Sequence, residues 1–258
     1  ARDIIKTLLK FKNIKFEYFI LEKSKHLKKL QKSNLNKFNV KWINNLKNFD
    51  KKNCFILSNE LLDAFPVKHL KKIQNKWYER YIFYNKTKKE PSSKFLILKK
   101  TPKDVLNFCN KNTNFIEYAP EIFKFISKIS KLVKNHKNNC FMTIDYGYYD
   151  ENFRNTLQAL EKHQKVDIFY NPGNVDITHL VNFKFINRIF EKNSLTRTLN
   201  MSQSDFLIKY GILARLKQAK KNLKNKQDKI KLDMSVNRLI DKKQMGNLFK
   251  VLLVTNEN

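Results

Sequence analysis

The chain has 258 residues, with 53 lysines and arginines against 23 acids, a formal charge of +30. Its hydrophobic fraction of 41% can fill the core of one or two domains, which argues against wholesale disorder. Four glycines and five prolines exclude collagen-like and low-complexity sequence, and no apolar run reaches the roughly 18–20 residues that span a bilayer.

The elements follow in order. Ile4, Ile5, Leu8, Leu9 and Phe11 have helical spacing from the first residues, without a basic-then-apolar signal peptide and without a preceding cap. The chain is therefore expected to begin inside a helix, with a segment missing upstream. Phe16–Leu21 reads as a strand ending at Glu22, and a lysine-rich helix from about Ser24 should turn Leu27 and Leu30 inward. Val40–Ile43 and Cys54–Leu57 read as further strands. Strands alternating with helices point to an α/β fold with a mostly parallel sheet. From Val67 the pattern changes to alternation around a polar turn at Gln74–Asn75, with Trp77, Tyr78, Tyr81 and Tyr84 beyond it. This predicts an antiparallel, β-rich insertion over residues 67–115, with those aromatics as hairpin core.

Pro120 opens a helix whose core face is Ile122, Phe123, Ile126, Ile129, Leu132 and Val133. Cys140–Ile144 is a strand ending in Asp145-Tyr146-Gly147. A helix is expected from Thr178 to Phe190, with Asp176 and Thr178 as caps. Ser204 should cap a short helix that stops at Gly211. Lys217–Lys231 reads as a solvated helix face, and Phe249–Val254 as a last strand. Cys54, Cys109 and Cys140 form no CxxC pair and read as small core thiols in a reducing compartment. The five histidines lack metal-ligand spacing, so no metal is expected.

Charge has two readings. A basic surface attracts nucleic acid, anionic lipid or acidic protein. However, the lysines are spread along the whole chain, and asparagine, isoleucine and phenylalanine are enriched with them, the pattern of AT-rich codon usage. The acids at strand ends are more informative, because ligands of open α/β sheets sit outside the carboxyl ends of the strands. Glu22 stands where a ribose-binding acid would, or pairs with Lys23 or Lys25 at the surface. Asn59, Glu60 and Asp63 follow a buried strand. If residues 60–64 form a helical turn, Glu60 and Asp63 share one face and can hold a cation between them, or else complement the helix dipole.

Ser58-Asn59-Glu60-Leu61-Leu62-Asp63-Ala64-Phe65-Pro66-Val67 resembles the Asn-Glu-x-x-Asp-Ala-Leu-Pro-Val signature of the MidA-like S-adenosylmethionine-dependent methyltransferases. That family includes the mitochondrial protein arginine methyltransferase of complex I assembly. The likeness continues through Phe19–Ser24, through Ile144–Tyr148, and through Thr156, Leu157 and His163. It runs on through Pro172–Thr178 with Val181 and Phe183, through Gln203, Phe206-Leu207, Gly211-Ile212 and Arg215, and through Met245-Gly246. Gln158 and Asn182 replace the family's usual Arg and Asp. The family's glycine loop, which cradles the methionine part of the cofactor, has no counterpart here, since Gly147 is the first glycine.

The resemblance implies a class I methyltransferase with a Rossmann-like sheet, over residues 1–258, truncated of its first strand and glycine loop and inactive as it stands. It implies methyl transfer from S-adenosylmethionine to an arginine of a protein substrate, in particular a subunit of respiratory complex I. Glu60 and Asp63 would be the acceptor clamp or base pair. Glu22 would be the ribose ligand, with Asn59 on the cofactor or on Glu60, and Asp145 and Tyr146 would be candidates for the acceptor side. The compartment would be a bacterial cytoplasm, or a mitochondrial matrix in a eukaryote, without membrane insertion. Two other readings stand beside it: a nucleic-acid-binding or RNA-methylating protein, and a non-catalytic assembly factor retaining the fold. The first lacks a Pro-Pro motif, an RNA-recognition motif and zinc-finger spacing.

Overall fold

The computed structural model describes residues 1–47, 49–100, 102–162, 164–196 and 198–256, which divide into two compact units after residue 51. His163 lies outside the described residues. The first unit holds α1 (Arg2–Leu8), β1 (Tyr18–Leu21), α2 (Lys25–Asn34) and β2 (Val40–Ile43). β1 and β2 pair in parallel, Tyr18 opposite Val40 and Leu21 opposite Ile43, so the unit contains a β–α–β crossover. The Ser24 hydroxyl starts α2 by accepting from the Leu27 amide at 3.2 Å. Leu27 and Leu30 do not form the inner face, since both are 48% exposed. The stripe of Gln31 and Leu35 turns inward instead. Gln31 bonds both Glu22 and the Trp42 indole, and those half-buried polar groups select the helix face that can satisfy them.

The second unit continues with β3 (Phe55–Asn59), β4 (Lys68–Ile73), β5 (Lys76–Asn85), β6 (Glu90–Ile97), α3 (Lys103–Leu106), β7 (Phe115–Tyr118), α4 (Pro120–Asn135) and β8 (Cys140–Tyr148). There follow β9 (Gln158–Glu161), β10 (Gln164–Val166), β11 (Asp176–Thr178), β12 (Val181–Asn182), α5 (Phe183–Lys192) and β13 (Thr198–Ser202). The unit closes with α6 (Gln203–Lys209), α7 (Ile212–Lys221), α8 (Lys226–Ile240), α9 (Met245–Leu248) and β14 (Phe249–Thr255).

β8 is the axis of the main sheet. β14 runs antiparallel along one edge, with β13 antiparallel outside it. The other edge is shared. β3 pairs in parallel from Phe55–Cys140 to Asn59–Ile144, then leaves, and β12 takes over in parallel at Gly147 and Tyr148. Gly147 permits the second approach, because a Cβ there would lie 2.3 Å from the Val181 carbonyl oxygen and 2.7 Å from the Phe183 ring. Phe141 packs between Phe125 of α4 and Phe190 of α5, and α4 buries Ile122, Ile126, Ile129, Leu132 and Val133.

A second sheet, in the order β6-β5-β4-β7, is antiparallel throughout. Gln74 and Asn75 make its first turn with positive φ at both positions, +45° and +61°, as a tight hairpin requires. Tyr81 and Tyr84 are not hairpin core, being 44% and 62% exposed. β4 begins only at Lys68, so the far half of β5 has β6 alone beside it. A third, three-stranded sheet has the order β10-β9-β11.

Further expectations shift. Residues 176–178 are strand β11, not a helix start; α5 begins at Phe183, where the Asn182 side chain accepts from the Phe185 amide at 3.1 Å. Asn caps as well as the family's Asp would. Ser202, not Ser204, caps α6 through the Asp205 amide. Ser204 is buried and, with Gln203, bonds the carbonyls of Ile240 and Leu239 that α8 leaves unpaired at its end. The basic stretch breaks between Lys221 and Lys226 into α7 and α8. The three cysteines are half-buried, and Cys54 precedes β3.

Candidate active site

The point where β3 gives way to β12 is where the acids gather. The Glu60 amide makes the last bond to β8, donating to the Ile144 carbonyl at 2.9 Å. Glu60 itself sits at φ +48°, in left-handed backbone, so residues 60–64 do not form the helical turn that would align Glu60 with Asp63. For a non-glycine residue that conformation costs roughly 1–2 kcal/mol. It lifts the Glu60 side chain to the surface, where Asn59 Nδ2 donates to its Oε1 at 2.8 Å.

The following loop is held from below by Asp145. One of its oxygens accepts from the amides of Leu61 at 3.0 Å, Leu62 at 2.8 Å and Asp63 at 3.4 Å, and the other from Tyr146 at 2.9 Å. Asp145 is fully buried and both of its oxygens are taken up by backbone amides, so it does not face a substrate. The expectation that it lines the acceptor side is corrected: strand alternation turns it inward, where its carboxyl organises the loop. Burial, with Asp63 close by, nonetheless pushes its pKa up to about 7 against the pull of the amides.

Asp63 is also buried, at 4% exposure, and burial followed by the Glu60 charge raises its carboxyl to about 6. Its carbonyl accepts from the His179 amide at 3.1 Å, which pins the loop from the β11–β12 side. Tyr146, on the opposite side of β8 from Asp145, is half-buried and lies over Phe249 with ring centroids 4.0 Å apart. Burial and the charges of Glu60, Asp63 and Asp145 raise its phenol, while Arg238 of α8 opposes them. Glu60, Asp63, Asp145 and Tyr146 thus form one electrostatic cluster, of which Glu60 is the exposed member.

Glu22 belongs to the first unit, at the carboxyl end of β1. It does not pair with Lys23 or Lys25. Its Oε1 accepts from the Ser24 amide and its Oε2 from Gln31 Nε2, each at 2.9 Å. A carboxylate offers about four acceptor positions, so two oxygens held in place keep capacity for two hydroxyls.

Sequence reasoning passed over Glu117, His179 and Arg238. Glu117 has a legible signal, an acid between Ile116 and Tyr118 on a short apolar strand, all three buried. His179 acts through its backbone and leaves no such trace.

A family model described as "Putative S-adenosyl-L-methionine-dependent methyltransferase" matches residues 1–201. The chain belongs to that family. The Protein arginine methyltransferase NDUFAF7, mitochondrial, of Xenopus tropicalis is 25% identical over 224 residues, covering 86% of this chain and 51% of its own length. The human protein of that name is 22% identical over 210 residues, covering 81% and 47%. The chain therefore spans about half the length of these curated relatives. Two crystal structures from Burkholderia thailandensis share the fold at 23% identity and 93% coverage of this chain. An uncharacterized protein has a TM-score of 0.79 over 66% of its own chain. A second, bound to S-adenosyl-homocysteine, has 0.77 over 64%. The fold is that of an α/β class I methyltransferase, and the cofactor of this methyltransferase family is S-adenosylmethionine. Glu22 fits that cofactor, because a strand-end carboxylate with fixed oxygens and free acceptor capacity suits a ribose diol.

Proposed function

We propose that this protein transfers a methyl group to an arginine side chain of a protein substrate. S-adenosylmethionine supplies the methyl as an electrophile on a positively charged sulfur. The observation that carries the reading is the pairing of an exposed carboxylate, Glu60, with a buried one, Asp63, whose proton affinity is raised to about 6. A guanidinium is charged at neutral pH with its lone pair delocalised, so it needs a carboxylate to hold and localise that charge and a second group to take the departing proton. Glu60 does the first, at the surface where a protein substrate can reach it. Asp63, ionised at neutral pH yet more basic than an ordinary aspartate, does the second. Asn59 orients Glu60, Tyr146 borders the acceptor side, and Glu22 holds the ribose. The names of the relatives support the arginine specificity and a mitochondrial setting where the organism is a eukaryote. The reading extends to a respiratory complex I subunit as substrate, on the resemblance described above.

The test is a pair of substitutions in the protein. Glu60→Gln should lower methyl transfer to an arginine peptide by about 100-fold and leave the Kd for S-adenosyl-homocysteine within about twofold. Glu22→Ala should raise that Kd about tenfold or more, the scale of lost bonds to a charged acceptor. Equal loss of both properties in Glu60→Gln would assign Glu60 to the cofactor instead.

A further inference from the structure

Behind the acidic loop lies a buried polar chain that the methyl-transfer reading leaves unused. It starts in the antiparallel sheet, where Glu117 of β7 is 6% exposed. Glu117 accepts from His69 Nε2 of β4 at 2.6 Å, from the Thr156 amide at 3.0 Å, from the Leu157 amide at 3.1 Å and from the Thr156 hydroxyl. A carboxylate with four partners fixes the Thr156 hydroxyl proton on itself, which leaves the hydroxyl lone pairs to face the other way. There they accept from the Leu180 amide at 2.8 Å. The preceding amide, that of His179, donates to the Asp63 carbonyl at 3.1 Å. Two consecutive amides are thus divided between Thr156 and the loop that carries Asp63. The His179 ring is buried against the backbone of Leu180 and Leu62, and burial lowers its pKa, so it backs the same loop while its amide makes the bond to Asp63.

We propose that Thr156, oriented by Glu117, is a positioning residue for the carboxylate site: it fixes the 179–180 peptide, and through it the depth at which Asp63 is held. The inference rests on the arginine-methylation reading for its relevance to catalysis, but its test does not. Without the hydroxyl, the Leu180 amide loses its acceptor and the 179–180 peptide is free to turn. The Asp63 loop then relaxes toward solvent.

The experiment is a carbon-13 NMR titration of the Asp63 carboxyl in the full chain, without cofactor or acceptor. It compares wild type with Thr156→Val, which keeps the shape, and Thr156→Ser, which keeps the hydroxyl. The titratable groups around Asp63 are Glu60 on the loop, Asp145 and Tyr146 on β8, and His179 from the β11–β12 side. The wild-type midpoint should lie at about 6. Thr156→Val should lower it by about one unit or more, toward the ordinary aspartate value, and Thr156→Ser should retain it. Glu117→Gln supplies a second route if the valine variant does not fold, and should move the midpoint the same way. Equal midpoints in all variants overturn the proposal, and so does an equal fall in Val and Ser, which would assign the effect to the lost methyl packing. If the wild type transfers methyl groups, Thr156→Val should also lower kcat about tenfold at unchanged cofactor KM. An inactive wild type would leave the titration readable and count against the methyl-transfer reading alone.

Discussion

Three backbone amides converge on one oxygen of Asp145, yet the nearby ionisable groups that act on that carboxyl include another acid, Asp63. The amides favour the charged form, while burial and the neighbour oppose it. With Asp63 at about 6 and Asp145 at about 7, the folded chain binds protons more tightly than the unfolded chain across the weakly acidic range. These two groups therefore favour folding most below about pH 4, and that contribution fades as pH rises through 6 and 7. Asp63→Asn removes one of them. Its stability relative to wild type in urea should rise by about 1–3 kcal/mol between pH 4.5 and pH 8. A flat difference would mean that Asp63 titrates as an exposed aspartate. Glu117 works in the opposite sense. Burial raises its pKa, but the bonds from His69 and Thr156 outweigh burial and lower it, so its contribution is lost as pH falls through that depressed value.

At the scale of elements, the shared edge of β8 decides where the site is. β12 can follow β3 along that edge only because Gly147 admits the Val181 carbonyl and the Phe183 ring at distances no Cβ tolerates. Gly147→Ala should destabilise the fold by about 1–3 kcal/mol, the cost of overpacking a closed contact, read as a fall in Tm. It should also weaken amide-exchange protection at Val181 and Asn182 more than at Phe55–Asn59. Much of this layer was legible in the sequence. The apolar runs gave β3, β8 and β14, Pro120 opened α4 at the expected place, and Gln74–Asn75 made the expected turn. What was not legible has physical causes. Periodicity put Leu27 and Leu30 inward, but the bonding needs of Glu22 and Trp42 turned another stripe of α2 to the interior. Spacing alone suggested a helical turn at Glu60, whereas the pull of Asp145 on three amides shaped the loop from 82 to 84 positions away in sequence. Residues 176–178 alternate too briefly for a strand to show without its partner β9.

For the whole molecule, the charge of +30 is spread rather than gathered. Many of the lysines lie on exposed helix and hairpin surfaces, where they are solvated. A surface of this kind binds any polyanion weakly through counterion release. Fluorescence anisotropy with two unrelated single-stranded RNAs should show equal affinities at 50 mM salt and the loss of both by 200 mM. Retained, sequence-selective binding at 200 mM would favour the nucleic-acid reading. Among the described residues no helix is long and apolar enough to cross a membrane.

The hand-over on β8 also bears on biosynthesis. The acidic loop needs Asp145 beneath it and the 179–182 segment beside it, so its shape is set by one residue 83 positions beyond Leu62 and by a segment farther downstream still. Contacts of such sequence separation form late. While the ribosome is still adding the residues that follow β8, Glu60 and Asp63 are two separate acids beyond an unpaired strand, and the acidic loop cannot take its final shape before the chain emerges past Asn182.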